Sequence, residues 1–244
     1  MSVPAGLHAQ LAAASRALQN EPDTQHTLDR SVRIATELLD SCDYAGISIV
    51  HRNGTIDTPA STDVLVERAD QLQYEFNEGP CLDAIWHHDT VTSDDLTSEQ
   101  RWPRWAPRVA GEFGVGSMLC LQLFTSATVV GGLNLYSIGV GAFDADDLDT
   151  ATYLAAHMAV AVADTQHADD LRIGALNRTT IGQAQGILME RFSLEADGAF
   201  NLLRRVAQDS TLNLLRVADE LVHTRRTPGD EEPKDPDENP GPKD

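Results

Sequence analysis

Lysine is absent from this 244-residue chain until Lys234, so every cation before the last few residues is an arginine. That bias is explained as well by genome base composition as by RNA chemistry. Cysteine is scarce: Cys42, Cys81 and Cys120 have no metal-ligand spacing, so no metal site is expected and the thiols should be reduced. There is no apolar run long enough for a membrane span and no signal-peptide pattern. The chain is therefore expected in the cytoplasm, with no membrane partner. No Ser/His/Asp set, carboxylate dyad or phosphate-cradling glycine loop stands out, and Gly139-Val-Gly141 reads as a turn, so no enzyme is expected. A phosphoacceptor receiver pattern is missing too, which argues against activation by aspartate phosphorylation.

What is present is acid, unevenly placed. The net charge is −20. Residues 1–170 carry 8 Arg against 25 Asp and Glu, net −17. Residues 171–228 carry 8 Arg against 6 acids, net +2, and residues 229–244 carry 2 Lys against 7 acids, net −5. Nucleic-acid binding would have to come from focused arginine contacts in the middle segment, because the rest of the surface repels polyanions. The Pro-, Asp- and Glu-rich tail 227–244 has the composition of disorder.

The hydrophobic content of 41% suffices for one large domain and a small one. Residues 7–20 and 24–41 read as amphipathic helices, the second with a stripe of Leu28, Val32, Ala35, Leu38 and Leu39. A strand from Ala45 runs into Asn53-Gly54, a hairpin signal, with its partner near Thr55–Ala60. Val64–Phe76 reads as a helix, Thr90–Val91 as a short strand, and Trp102–Phe113 as a helix with Pro103 in its first turn. Strands follow at Ser117–Thr125 and Val129–Ser137, joined by a turn around Ser126–Thr128, and a long helix starts at Asp144. This order implies an α+β fold with an antiparallel sheet and flanking helices. Its long connecting helix leads into an all-α three-helix bundle.

The bundle begins with the run Thr179–Arg191. At about 100° per residue, Ile181, Ala184 and Leu188 share an apolar face. Arg178, Gly182, Gln185, Gly186 and Met189 share another, with Gln183 beside it. Two glycines four apart cost about 1 kcal/mol each against alanine. Either a ligand approaches the backbone there, or another helix packs closely and Met189 is core. A second helix is expected over Leu194–Asp209 with Ser193 as N-cap and Ala199, Phe200, Leu203, Val206 and Ala207 inward. A third is expected over Leu212–His223 with Thr211 as N-cap and Leu214, Leu215, Ala218, Leu221 and Val222 inward. Arg204, Arg205, Asn213 and Arg216 lie on the polar faces; arginine binds phosphate bidentately and stacks.

The runs Ile181–Arg191, Ala199–Arg205 and Asn213–Ala218 resemble ANTAR domains. That resemblance implies binding to a pair of RNA stem-loops with six-nucleotide loops and transcription antitermination. Gln185 stands where that family often has a basic residue. The RNA-binding residues would be Arg178, Gly182, Gln183, Gln185, Gly186, Met189, Arg204, Arg205, Asn213 and Arg216. Upstream, Glu78-Gly-Pro-Cys-Leu-Asp-Ala84, Asp94-Asp-Leu96, Arg101-Trp-Pro103 and Gly132-Leu-Asn-Leu-Tyr136 resemble GAF domains, which are mostly sensory and hold a small molecule of varied kind. Cys81, Trp102 and Trp105 are the candidates for a sensor pocket, although the bland assignment of each is core. His87 and His88 read as a solvent-facing loop pair.

The expected organisation is an N-terminal helix over 1–23, a sensor unit over 24–165, a signalling or coiled-coil helix over 144–177, an RNA-binding unit over 171–226 and the tail. Leu148, Ala151, Leu154, Ala155, Met158, Ala161 and Val162 form a stripe that either covers the sheet or pairs with a second copy in a homodimer. Two bundles per dimer would match two stem-loops, and any link to RNA polymerase would be indirect. The rival classes are a ligand-triggered DNA-binding regulator and a protein-interaction module. The sensor ligand cannot be read from the residues.

Overall fold

The computed structural model describes residues 5–87, 90–126 and 128–226. His88, the turn residue Ala127 and the acidic tail 227–244 lie outside the described residues. The chain divides into two compact units, 1–169 and 170–244.

The first unit is a five-stranded sheet with helices on both faces. Its elements are α1 (Ala5–Gln19), α2 (Thr24–Leu38), β1 (Tyr44–Val50), β2 (Ile56–Ser61), α3 (Val64–Phe76), α4 (Pro80–Trp86), β3 (Thr90–Ser93), α5 (Ala106–Phe113), β4 (Ser117–Phe124), β5 (Val129–Ser137) and the first part of α6 (Ala145–Phe192). The strand order is β2-β1-β5-β4-β3, and every pair is antiparallel. The fold class is therefore the α+β arrangement that the alternation of helical and strand patterns implies.

Period-two alternation builds two cores from one sheet. Ala45, Ile47, Leu119, Leu121, Leu123, Leu133 and Leu135 face α1, α2 and the stretch Ala151–Val162 of α6. Met118, Cys120 and Tyr136 face the other way, against α3, α4, α5 and the loop carrying Trp102 and Trp105. Strands β1 and β5 approach so closely at Ile49 and Gly131 that a Cβ at 131 would sit 1.8 Å from the Ser48 carbonyl oxygen. Only glycine fits there.

Two differences from the sequence expectations have local causes. The helix expected from Trp102 begins at Ala106, because residues 102–105 form a turn that sends both indoles into the core; Pro107, not Pro103, lies in its first turn. Helix α4 was not expected. Its start is set by Gly79 at φ 144 and by the Gln73 side chain, whose Oε1 accepts the Cys81 N–H at 2.8 Å. Asp23 and Asp63 cap α2 and α3 by accepting the backbone N–H of His26 and Leu65.

The second unit holds the end of α6, then α7 (Ala196–Asp209) and α8 (Leu214–Thr224). Its core is Ala184 and Leu188 from α6, Ala199, Leu203 and Ala207 from α7, and Val217, Ala218 and Leu221 from α8. Neither expected N-cap holds. Ser193 and Thr211 adopt left-handed backbone, φ 53 and 58, and close the preceding helices. The N–H groups of Leu194 and Leu212 reach back to the carbonyls of Met189 and Ala207, which are the bonds of a left-handed helix terminus. Each following helix then needs its own start. Asn213 supplies one for α8 by accepting the Arg216 N–H at 2.7 Å, and Glu195 precedes α7 without a side-chain cap bond. Val217, absent from the expected stripe, is fully buried, and Phe200, expected inside, is 36% exposed.

Candidate functional site

The polar face of the three-helix unit is unspent. Arg178, Arg204, Arg205 and Arg216 are exposed, and among the described residues they make no ion pair or side-chain hydrogen bond. A Cβ placed on Gly182 or Gly186 would meet nothing within 4 Å. Close packing between helices of this chain therefore does not explain either glycine. Met189 is half-buried against the bundle core and so serves packing at least in part. Gln185 is committed within the bundle: its Nε2 donates to the Ala196 carbonyl at 3.0 Å, tying α6 to the first turn of α7. Asn213 is likewise occupied as a cap, which leaves its amide nitrogen as the free group. Gln183 and Gly186 line an open groove of about 470 Å³ with Ile187, Glu190, Val222 and Arg225. Two aromatic rings missed by periodicity are Phe192, 52% exposed, and Phe200. Exposed rings and guanidinium groups are what base stacking uses, and Phe200 lies one helical turn before Arg204 on α7. Phe200 was hidden by its apolar character, which placed it in the stripe of α7.

The sheet face under α3 and α4 carries the other unusual feature of the chain, a buried polar network. Asp70 on α3 is fully buried. Its carboxylate accepts from Tyr136, from Gln73 Nε2 at 3.0 Å, from Thr58 Oγ1 at 2.9 Å and from Asn134 Nδ2. Asn134 Nδ2 also donates to Ser48 Oγ at 2.9 Å, and Ser48 Oγ is joined to the Tyr74 hydroxyl at 2.7 Å. Burial pushes the Asp70 carboxyl up to about 6, against the pull of its donors. The buried Asn134 Oδ1 has no hydrogen-bond partner among the described residues.

The three residues considered for a sensor pocket all sit in this region, with their polar atoms engaged. Cys81 donates to Ser48 Oγ at 3.2 Å. Trp102 Nε1 donates to Asp83 Oδ2 at 3.0 Å, and Trp105 Nε1 donates to the Ala69 carbonyl at 2.8 Å. The two indoles pack edge to face with centroids 5.9 Å apart. Glu78 ties the loop of Arg104 and Trp105 to the end of α3: its Oε1 accepts both of their backbone N–H groups, at 2.6 and 2.9 Å. An open groove of about 660 Å³ lies elsewhere, over Thr90, Leu121, Gln122, Phe124, Ala155 and Val160. No group of three or more metal-ligating side chains occurs among the described residues. No helix of the described residues is long and apolar enough to cross a membrane.

Residues 21–163 match the GAF domain family, and residues 169–222 match the ANTAR domain. The chain belongs to the GAF family, with an ANTAR domain following. No curated protein matches it. Among solved structures it is similar to the GAF domain of a phosphoenolpyruvate-protein phosphotransferase (ptsP) from Coxiella burnetii, at 15% identity and TM-score 0.55, covering 67% of this chain and 96% of that one. The GAF domain of the Acinetobacter phosphoenolpyruvate-protein phosphotransferase gives 17% identity and TM-score 0.54, with 68% and 97% covered. The fRMsr of Staphylococcus aureus in its reduced form gives 13% and 0.51, with 66% and 99% covered. These likenesses establish the fold. A GAF domain joined to an ANTAR domain makes the chain a sensory regulator of the ANTAR type, since both are regulatory domains.

The cysteines of the GAF domain are all buried, and burial pushes the thiols of Cys42 and Cys81 up to about 12 and that of Cys120 well above its ordinary value. Thiolate is the reactive form. In the native protein, a thiol-disulfide reagent at neutral pH should modify none of the three within the time that modifies all three in denaturant. Fast reaction of Cys81 in the native state would show that the network opens.

Proposed function

We propose that the ANTAR domain binds RNA bearing two stem-loops with six-nucleotide loops, and that holding this pair blocks a terminator and promotes antitermination. The supporting observations are four exposed arginines that make no ion pair or side-chain hydrogen bond among the described residues, and two helix glycines whose outward side is open. Guanidinium groups hold phosphate and stack on bases, and bare backbone lets a base come close. Arg178, Arg204, Arg205 and Arg216 are the phosphate and stacking contacts; Gly182, Gly186 and Gln183 are the close-approach surface. Residues 24–165 act as the sensor and 171–226 as the output, in a cytoplasmic regulator without catalytic activity. A small-molecule signal at the GAF domain acts through α6, which belongs to both units, and α6 pairs with its copy in a homodimer. Such control requires the signal to bind one geometry better than the other.

The test is titration of the full chain with a two-hairpin RNA, a single hairpin and duplex DNA. The two-hairpin RNA should bind tightest. Replacing Arg204 and Arg205 with alanine should weaken it about tenfold or more, the loss expected of roughly 1.4 kcal/mol. It should also reduce the dependence of log affinity on log salt by up to about 1.4, two contacts' worth for single-stranded RNA. Equal affinity of the double variant would sink the site assignment. Preference for the duplex would favour the DNA-binding class, and salt-insensitive failure to bind any nucleic acid would favour a protein partner.

A further inference from the structure

We propose that the buried polar cluster of the GAF domain is a proton-sensing site, in which uptake of one proton by Asp70 is coupled to reversal of the Asn134 side-chain amide. The site concerns the GAF domain alone and does not rest on the RNA reading. The Asp70 carboxylate is fully buried and makes no ion pair among the described residues. Its surroundings supply hydrogens. Oδ1 accepts from the Tyr136 hydroxyl, from Gln73 Nε2 and from Asn134 Nδ2, and Oδ2 accepts from Thr58 Oγ1 and from the same amide nitrogen. The titratable groups around it are Tyr74 on its own helix, Cys81 on α4, Cys120 on β4 and Tyr136 on β5. Strands β1 and β2 contribute the hydroxyls of Ser48 and Thr58. None of these groups is a cation.

Such a cage fits the anion and has no place for a proton. A protonated carboxyl donates a hydrogen bond of its own, yet the atoms that face this one are donors. One acceptor in the cluster is idle: Asn134 Oδ1, buried and without a hydrogen-bond partner among the described residues. It belongs to the same amide whose nitrogen faces the carboxylate, so a half-turn of the side-chain amide exchanges the two. With Asp70 ionised, that half-turn would set amide oxygen against carboxylate. With Asp70 protonated, it gives the proton an acceptor and removes a surplus donor. The hydroxyl chain leads to the same atom. Thr58 Oγ1 and the Tyr74 hydroxyl are 2.7 Å apart, the Tyr74 hydroxyl and Ser48 Oγ are 2.7 Å apart, and either atom of each link can donate. If the chain reverses to accept the proton at Thr58, Ser48 at its far end needs an acceptor, and Ser48 Oγ lies 2.9 Å from the Asn134 amide nitrogen. Thr58 and Tyr74 are half-buried and give the proton its path from solvent. Burial pushes the Asp70 carboxyl up to about 6, which sets uptake just below neutral pH. Asn134 stands between Leu133 and Leu135, which share a core with the stretch Ala151–Val162 of α6.

The experiment follows the native full chain by NMR between about pH 8 and pH 4, observing the Asp70 carboxyl carbon and the Asn134 side-chain amide together. The Asp70 carbon should titrate with a midpoint of about 6. The Asn134 amide nitrogen and protons should shift with that same midpoint, and their Overhauser contacts to Ser48 should be present at the alkaline end and lost at the acid end. Asp70→Asn removes the titrating group, and its Asn134 signals should stay fixed throughout. An Asp70 carboxyl that titrates while Asn134 does not move overturns the coupling, as does an Asn134 transition that persists in Asp70→Asn. A carboxyl that keeps one protonation state over the whole range overturns the site. The paired titration needs only the native chain, so it decides the matter even if the variant does not fold.

Discussion

Replacing Asp70 with alanine is expected to cost the GAF domain about 3–5 kcal/mol, read as a lower urea midpoint with an unchanged slope. The size follows from what is stranded. Tyr136, Gln73, Thr58 and Asn134 all donate to this carboxylate in a region without solvent. Removing it leaves several buried donors without an acceptor, and each such group costs about 1–3 kcal/mol when nothing rearranges. A loss below about 1 kcal/mol would mean that water or a neighbour replaces the carboxylate readily.

The same group has a signature in pH. Its carboxyl titrates at about 6 in the folded protein, above the ordinary 3.8. The folded state therefore holds the proton more tightly than the unfolded chain. Stability from this source is complete below about pH 4 and is lost as pH rises through 6, a span worth roughly 3 kcal/mol. Glu78 is depressed by the backbone N–H groups of Arg104 and Trp105, and Glu99 and Glu112 by the side chains of Arg101 and Arg108; all three act in the opposite direction. The comparison that isolates Asp70 is with Asp70→Asn. Between pH 7 and pH 4 the native chain should gain about 3 kcal/mol relative to the variant. Parallel stability curves for the two proteins would rule this out.

The second large effect is a pair of opposite signs. Gly182→Ala combined with Gly186→Ala should stabilise the three-helix unit by up to about 2 kcal/mol, because both positions lie inside α6 and both added methyl groups meet open space. The same double variant should bind the two-hairpin RNA about tenfold more weakly, since a lost close approach is worth about 1.4 kcal/mol. A higher melting temperature with weaker RNA binding separates function from folding. Equal or tighter binding would show that this side of α6 is not the RNA face.

The elements most legible in the sequence were those whose pattern is local. Alternation placed β1, β4 and β5, and the spacing of Ala184 and Leu188 gave the inward face of the part of α6 that lies in the second unit. Asn53-Gly54 marked its hairpin. What could not be read was set by partners far along the chain. Asp70 looks like an ordinary surface acid within Val64–Phe76, and only the fold brings Thr58, Gln73, Asn134 and Tyr136 around it. Helix α4 is short and depends on a glutamine from α3. Ser193 and Thr211 are good cap residues by composition, yet the turn in which each sits first has to end a helix. Phe200 shows the limit of hydrophobicity as a guide, since an apolar ring that ends up partly exposed reads as core. The exposure of Arg178, Arg204, Arg205 and Arg216, by contrast, was legible, because charged residues off the apolar stripes stay in water.

The single sheet of the GAF domain is wall and floor at once. Leu133 and Leu135 of β5 support the stretch of α6 that begins at Ala151, while Asn134 and Tyr136, their immediate neighbours, hold Asp70 on the opposite side. Consecutive residues on a strand share a backbone, so neither side chain can be displaced along the strand without carrying its neighbour. Rearrangement of the carboxylate network is thus felt one residue away by the packing of α6 on the sheet, over the thickness of one peptide layer.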